Sequence, residues 1–229
     1  TSVLYRAARA GSIEQTLAAF KFTAGTSEDV VLKQMAIQLG NTASNSPSDL
    51  LGQKVSFWYG TTKLGEAVFP SSSDNATSSI LALTIPRGET RTITIKGDLS
   101  VQNAVENTTS AGVFLAISYD GDNVGLNGNY ATGVDSGTTI SSGTTSDITT
   151  NGLRVFRNIP TFTLTSTSGT LSLNSPLYSF TVSNPDANRD LVLKKLSFSI
   201  ATTSGAATGF KLKGAGVEVD PTIILAVQE

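Results

Sequence analysis

The sequence predicts an all-β protein made of two β-sandwich units in tandem, the second incomplete. Three observations lead there. Charged residues are only 15% of the 229, Ser and Thr fill much of the remainder, and long helix-forming runs of Ala, Leu, Glu and Lys are missing. That composition favours strands with one polar face joined by turns of small residues. Short alternations of apolar and polar residues recur between turn signals, the period-two mark of half-buried strands. Finally, one twelve-residue phrase is written twice, as DVVLKQMAIQLG at Asp29–Gly40 and as DLVLKKLSFSIA at Asp190–Ala201.

Both copies carry the same irregularity. Apolar residues alternate at Val30 and Leu32, skip a beat, and resume at Met35, Ile37 and Leu39. The second copy does the same at Leu191 and Leu193, then at Leu196, Phe198 and Ile200. A lost beat would throw the rest of the strand onto the wrong face. One extra residue in a β-bulge restores the phase, which predicts bulges at Lys33–Gln34 and at Lys194–Lys195.

The repeat extends to the flanking elements. VLYR (Val3–Arg6) is echoed by RVFR (Arg154–Arg157), and LAAFKFTA (Leu17–Ala24) by LYSFTVSN (Leu177–Asn184). KVSFWYG (Lys54–Gly60) matches GFKLKG (Gly209–Gly214), and SSILALTIP (Ser78–Pro86) loosely matches TIILAV (Thr222–Val227). The first copy adds TRTITIKGDL (Thr90–Leu99), with Ile93 and Ile95 on one face, and GVFLAISYDG (Gly112–Gly121), with Val113, Leu115 and Ile117 on one face. The Gly/Ser/Thr-rich stretch Ala131–Gly152 reads as an excursion or flexible loop. LRVF (Leu153–Phe156) closes the unit. Seven or so short strands between turn signals predict a sandwich of the immunoglobulin-like class. The expected boundaries are an N-terminal strand segment at 1–9, a first sandwich at 10–158, and a second, incomplete sandwich at 159–229.

Bulk properties narrow the function. A net charge of −2 lacks the clustered Lys and Arg of a nucleic-acid groove. Absent Cys removes disulfides and thiol chemistry, and absent His removes the commonest general base and transition-metal ligand. No apolar run reaches the roughly 18 residues of a membrane-spanning helix. No signal peptide opens the sequence, so an exported protein would be present here in its mature form.

Candidate chemistry is sparse. Asn184, Asp186, Asn188 and Asp190 alternate with the spacing of oxygen ligands in a calcium loop, although Arg189 opposes a cation and the plain reading is a turn. Asp120, Asp122 and Asn123 begin a second such loop. There, Val124 stands where the EF-hand pattern needs an oxygen and Ala131 where it needs Glu, so a Gly/Asn hairpin is expected. No cofactor is expected, calcium being the one cation considered. Asn75 (NAT) and Asn107 (NTT) fit the N-glycosylation acceptor pattern. Phe57, Trp58 and Tyr59 admit a sugar-stacking platform, but a core aromatic on a central strand is the expectation for Trp58. Lys21 and Lys96 are candidates for an isopeptide cross-link that nothing in their spacing singles out. Without an activated nucleophile or a metal-held water, no enzyme is expected.

The segments LAAFKFTAGTSEDVVLKQMAIQL, LTIPRGETRTITIKGDLS and FTLTSTSGTLSLNSPLYSFTVSNPDANRDLVLKKLSFSIATT resemble tandem Ser/Thr-rich immunoglobulin-like sandwich repeats of exported prokaryotic surface proteins. The resemblance implies an extracellular, cell-surface structural or adhesive role and carries over no catalytic residue. Before Glu229 the second copy has no counterparts of its later strands, while the sequence opens on a closing-strand motif. The expectation is therefore a subunit of a filament, pilus or surface layer, polymerising head-to-tail with copies of itself. Val3, Leu4, Tyr5 and Arg6 are expected to form the donor strand, added beside Phe210, Leu212, Ile223, Ile224 and Leu225 of a neighbour, the plain alternative being that VLYR packs on its own first sandwich. The alternatives are an adhesin or carbohydrate-binding module that meets glycans, and a viral capsid or fibre protein.

Overall fold

A computed structural model describes residues 3–40, 45–101, 112–141, 146–167, 176–186, 190–193, 196–198, 211–214 and 217–218. In chain order its strands are β1 (Arg6–Arg9), β2 (Gln15–Thr23), β3 (Val30–Gln34), β4 (Ala36–Leu39), β5 (Lys54–Tyr59), β6 (Thr62–Val68), β7 (Asn75–Thr77), β8 (Leu83–Ile85) and β9 (Thr90–Gly97). They continue as β10 (Val113–Leu115), β11 (Ile117–Tyr119), β12 (Tyr130–Gly133), β13 (Thr139–Ser141), β14 (Leu153–Phe156), β15 (Thr161–Thr167), β16 (Tyr178–Ser183), β17 (Lys213–Gly214) and β18 (Val217–Glu218). The protein is all-β, and its antiparallel sheets are arranged in the manner of a β-sandwich.

One layer is the antiparallel sheet β2-β9-β5-β6. Its inner face follows the alternation of its sequences: Ile93 and Ile95 of β9 and Phe57 of β5 are fully buried, while Thr92 and Lys21 point to solvent. Leu17 is the extra residue of a bulge against β9, which lets both Leu17 and Ala18 sink into the core. The facing strands are β3 and β4, flanked by β8 and β7 on one side and by β12 and β11 on the other. Met35, Ile37, Leu115, Ile117, Leu153 and Val155 from this side join the same core cluster. Burying each such side chain contributes about 1.5–3 kcal/mol, which makes this cluster the main stabilising element of the unit.

The predicted bulge is present. Leu32 pairs with Ala131 and Gln34 with Tyr130, so Lys33 is the residue without a Cα partner. Leu32, Met35, Ile37 and Leu39 therefore all reach the core, as the skipped beat requires. The break also creates a polar problem, because the amides of Met35 and Ala36 lie at fully buried positions off the regular ladder. Two buried side chains accept them: Ser78 Oγ takes Met35 N–H at 3.0 Å and Asn129 Oδ1 takes Ala36 N–H at 2.7 Å. Ser78 N–H in turn donates to Met35 O at 2.9 Å.

Two differences from the sequence reading stand out. The stretch Ala131–Gly152 supplies β12 and β13, although it was expected to be a flexible loop. The buried positions of β12 are Ala131 and Gly133, too small to signal a strand, and pairing with β3 holds them. Glu28 reinforces that pairing: its carboxylate accepts Asp135 N–H and Ser136 N–H at 2.9 Å and Ser136 Oγ–H at 2.8 Å. A Cβ on Gly133 would lie 2.4 Å from Glu28 Oε1, so the clamp needs glycine there.

The second difference concerns the units. The chain divides at Thr1–Asp190 and Leu191–Glu229, so β15 and β16 belong with the first unit. Asp186, just past β16, returns to a corner lined by Arg9, Ala10, Gly11 and Arg157. Within the second unit, the described residues of the repeated phrase, 191–193 and 196–198, carry no strand, and Val192 is 78% exposed. The second predicted bulge, Lys194–Lys195, lies outside the described residues. Residues 213–214 pair antiparallel with 217–218.

Two outcomes test this account. Asn129→Ala strands the buried Ala36 amide and should cost about 1–3 kcal/mol in urea unfolding. The backbone and hydroxyl donors of Ser136 hold the Glu28 carboxyl below its ordinary value of 4.5. A depressed carboxyl stabilises the fold above its unfolded value, and that contribution is lost as pH falls through the folded one. The gap in thermal midpoint between the native protein and Glu28→Gln should therefore be open at pH 6 and narrow as pH falls below the ordinary carboxyl value of 4.5.

Candidate functional site

The expected assembly residues fall in different settings. Arg6 opens β1 and pairs with Leu153 of its own unit, so that end of the presumed donor strand is already used within the chain. Val3, Leu4 and Tyr5 precede the strand. Leu4 is 80% and Tyr5 57% exposed, and Val3 O accepts Asn151 Nδ2–H at 3.2 Å. Of the expected acceptors, Leu212 is half-buried just ahead of β17, whereas Phe210, Ile223, Ile224 and Leu225 lie outside the described residues. Asn75 is exposed at the start of β7, and Asn107 lies outside the described residues.

The aromatic triplet is split by strand alternation. Phe57 enters the core, but Trp58 sits half-buried on the outer face of β5, contrary to the expectation of a core residue. Its indole N–H donates to Ser56 Oγ at 2.8 Å, and Lys96 Nζ lies 4.5 Å from the centre of its ring. Lys96 is thus engaged in a cation–π contact, and Lys21 is exposed. In the turn after β16, Asn184 Oδ1 accepts Asn158 Nδ2–H at 2.6 Å and Asp186 N–H at 3.1 Å, which is the plain-turn use of that oxygen.

The most chemically loaded place is the loop that follows β11. Asp120, only 2% exposed, lies with Asp122 and Asp147 so that one carboxylate oxygen of each falls within 4.8 Å of the others. The β3/β4 bulge positions this loop. Ala36 O accepts Asp120 N–H at 3.2 Å, while the Asn129 amide group donates to Asp120 O and, at 2.9 Å, to Asn123 O. Asp147 comes from the far end of the Ser/Thr-rich stretch and is set by the Tyr119–Ile148 bridge. Its carboxylate accepts Gly121 N–H at 3.1 Å and the Gln38 side-chain amide.

Burial raises the Asp120 carboxyl above its ordinary value of 3.8, and the neighbouring carboxylates of Asp122 and Asp147 add to this against a hydrogen bond from Asn123. The result is a cluster of like charges around a buried acid. An all-oxygen donor set of this kind suits a hard divalent cation such as Ca²⁺ rather than a soft metal. The EF-hand pattern does not describe it: Val124 points to solvent and Ala131 lies inside β12. Sequence reasoning weighed Asp120 and Asp122 and preferred a Gly/Asn hairpin there, and it missed Asp147, whose only signal is one acid in a run of Ser and Thr.

A second feature is an apolar slot of about 270 Å³ beside the end of β2, lined by Phe22, Val30, Leu32, Tyr119, Tyr130 and Ile140 among others. It is a concave, mainly apolar surface with Thr23, Gln34 and Asn129 among its polar lining residues.

No protein-family model, curated protein or solved structure matches the chain.

A raised carboxyl makes its full contribution to stability below the ordinary value of 3.8 and loses it as pH rises through the raised one. Asp122→Asn removes one like charge and should raise the thermal midpoint at pH 7 in a chelator by about 1–3 °C. A hard cation offsets the same repulsion, so millimolar Ca²⁺ should raise the native midpoint and leave an Asp122→Asn/Asp147→Asn variant unmoved.

Proposed function

We propose that the protein is a load-bearing structural module of an extracellular surface assembly, working among copies of itself and catalysing no reaction. One observation carries this reading. β1 pairs parallel with β14, Arg6 with Leu153 through Arg9 with Phe156. The chain therefore comes into the sandwich at one end of this pair and leaves β14 at the other. Tension between residue 3 and residue 157 pulls the two strands lengthwise past each other, and every hydrogen bond of the pair is loaded together. A pair peeled from one end would break its bonds one at a time. Ala10 N–H, which reaches Phe156 O at 2.8 Å, continues the ladder beyond the strand itself.

The composition and the resemblance to surface-protein repeats support the cell-surface setting. Because β1 is paired inside its own unit, donation of residues 1–9 to a neighbour is not the contact we favour between copies. The apolar slot beside β2 favours a second reading, a binding module whose ligand is apolar or aromatic.

Forced unfolding of single molecules held by their two ends tests the load-bearing reading, since it reports the unfolding barrier directly. Ala8→Pro removes an amide from the side of β1 that faces β14. It should lower the unfolding force by a larger fraction than it lowers the thermal stability. A force unchanged by Ala8→Pro would remove the reading.

A further inference from the structure

The sequence holds two Asn-Gly pairs, Asn127–Gly128 and Asn151–Gly152. In such a pair the glycine nitrogen reaches the Asn side-chain carbon unobstructed, because no Cβ stands in the way. An exposed Asn and a buried Gly are common to both pairs. They differ in what the glycine nitrogen does. Gly128 N–H donates to Gly125 O at 2.9 Å, and Asn127 O accepts Thr77 Oγ–H at 3.0 Å. Gly152 N–H meets no acceptor among the described residues.

The fold calls for both members of the second pair. Gly152 has φ +63°, and a Cβ there would lie 2.7 Å from Leu115 O and 2.8 Å from Ala116 Cβ, so only glycine fits. Asn151 donates a side-chain N–H to Val3 O at 3.2 Å, just ahead of β1. A glycine and an amide donor are thus needed side by side at the head of β14.

We propose that Asn151–Gly152 is a site of spontaneous deamidation, and that the modification unfastens the entry end of the β1–β14 pair. Gly152 N attacks Asn151 Cγ, and the new bond closes a succinimide ring as the bond from Cγ to the side-chain nitrogen breaks. The Gly152 amide proton leaves with that nitrogen as ammonia. Water then opens the ring: cleaving the new bond gives aspartate, and cleaving the original peptide bond gives isoaspartate. One water enters and one ammonia leaves, with no oxidant. The reacting atoms belong to adjacent residues, so no partner is needed.

Aspartate puts a carboxylate where an N–H donor faced Val3 O, and two acceptors repel. Isoaspartate in addition lengthens the main chain by a methylene just before Leu153, the residue that pairs with Arg6. The mechanical consequence rests on the load-bearing reading. A pair loosened at one end opens bond by bond instead of yielding all its bonds together.

Peptide mapping by mass spectrometry of the full chain, incubated at pH 8, tests the site. The Asn151 peptide should gain the mass of an amide-to-acid exchange about two- to tenfold faster than the Asn127 peptide, the protection that one hydrogen bond gives Gly128 N–H. In urea the two rates should converge. Equal rates in the folded protein, or faster conversion at Asn127, overturn the site. A ratio unchanged by urea overturns its structural cause. Asn151→Gln keeps the amide but closes a ring far less readily, so it should stay unconverted at that position. The converted protein should unfold at lower force than the fresh one, and incubated Asn151→Gln should not. Complete conversion with unchanged force overturns the coupling to β1 and β14. The load-bearing reading then still stands or falls with Ala8→Pro.

Discussion

Two buried amides hold the first unit to its particular shape. The extra residue at Lys33 keeps Leu32 and Met35 on the same side of a kinked strand, and it does so by taking Met35 N–H and Ala36 N–H out of the regular ladder. An unpaired amide in an apolar interior costs about as much as several methylene groups contribute. The bulge exists because Ser78 and Asn129 supply acceptors from two different segments. Those two residues in turn fix what lies around them. Ser78 sets the passage between β7 and β8, and Asn129 fastens the acidic loop to the sheet. Core, sheet order and candidate cation site share one polar joint.

The same unit has a mechanical axis. β1 and β14 lie side by side and run in the same direction, so the chain enters this pair at one end and leaves it at the other. Ala8, the one fully buried position of β1, is small enough to let the strand lie close against the core at the sheet margin. Beside it, the Arg6 guanidinium donates to Thr16 O at 2.9 Å and so ties this margin to the margin of the opposite sheet. A module built this way resists being drawn out lengthwise, whatever its surface binds.

The contrast between β2 and β16 shows how context sets the use of a sequence pattern. Both strands alternate apolar and polar residues in the same phase. In β2 the apolar set is covered, with Phe20 and Phe22 each 6.0 Å from the Tyr119 ring. In β16 the aligned set keeps much of its surface, within a stretch free of charge. The pattern prescribes a face to be buried but does not supply what buries it.

Local periodicity is enough to read strands such as β2, β3, β5 and β9 and the bulge at Lys33, because side chains alternate strictly along an extended chain and a lost beat has one inexpensive remedy. Ile93 and Ile95 and the closing Leu153–Phe156 segment lie where alternation puts them, whereas the expected strand Gly112–Gly121 divides after Leu115 between two sheets, with Val113 half-buried and Ala116 and Ser118 buried beside Leu115 and Ile117. Less was legible where burial falls on residues that carry no hydrophobic signal. Ala131 and Gly133 make a strand only because β3 is there to pair with, and Trp58 faces outward because Phe57 has already taken the inward position. Tertiary structure alone joined Asp147 to Asp120 and Asp122 and turned the N-terminal strand onto its own β14. Both are meetings of segments far apart in the chain, and such meetings are set by the packing of the whole unit, about which a short stretch of residues holds no information.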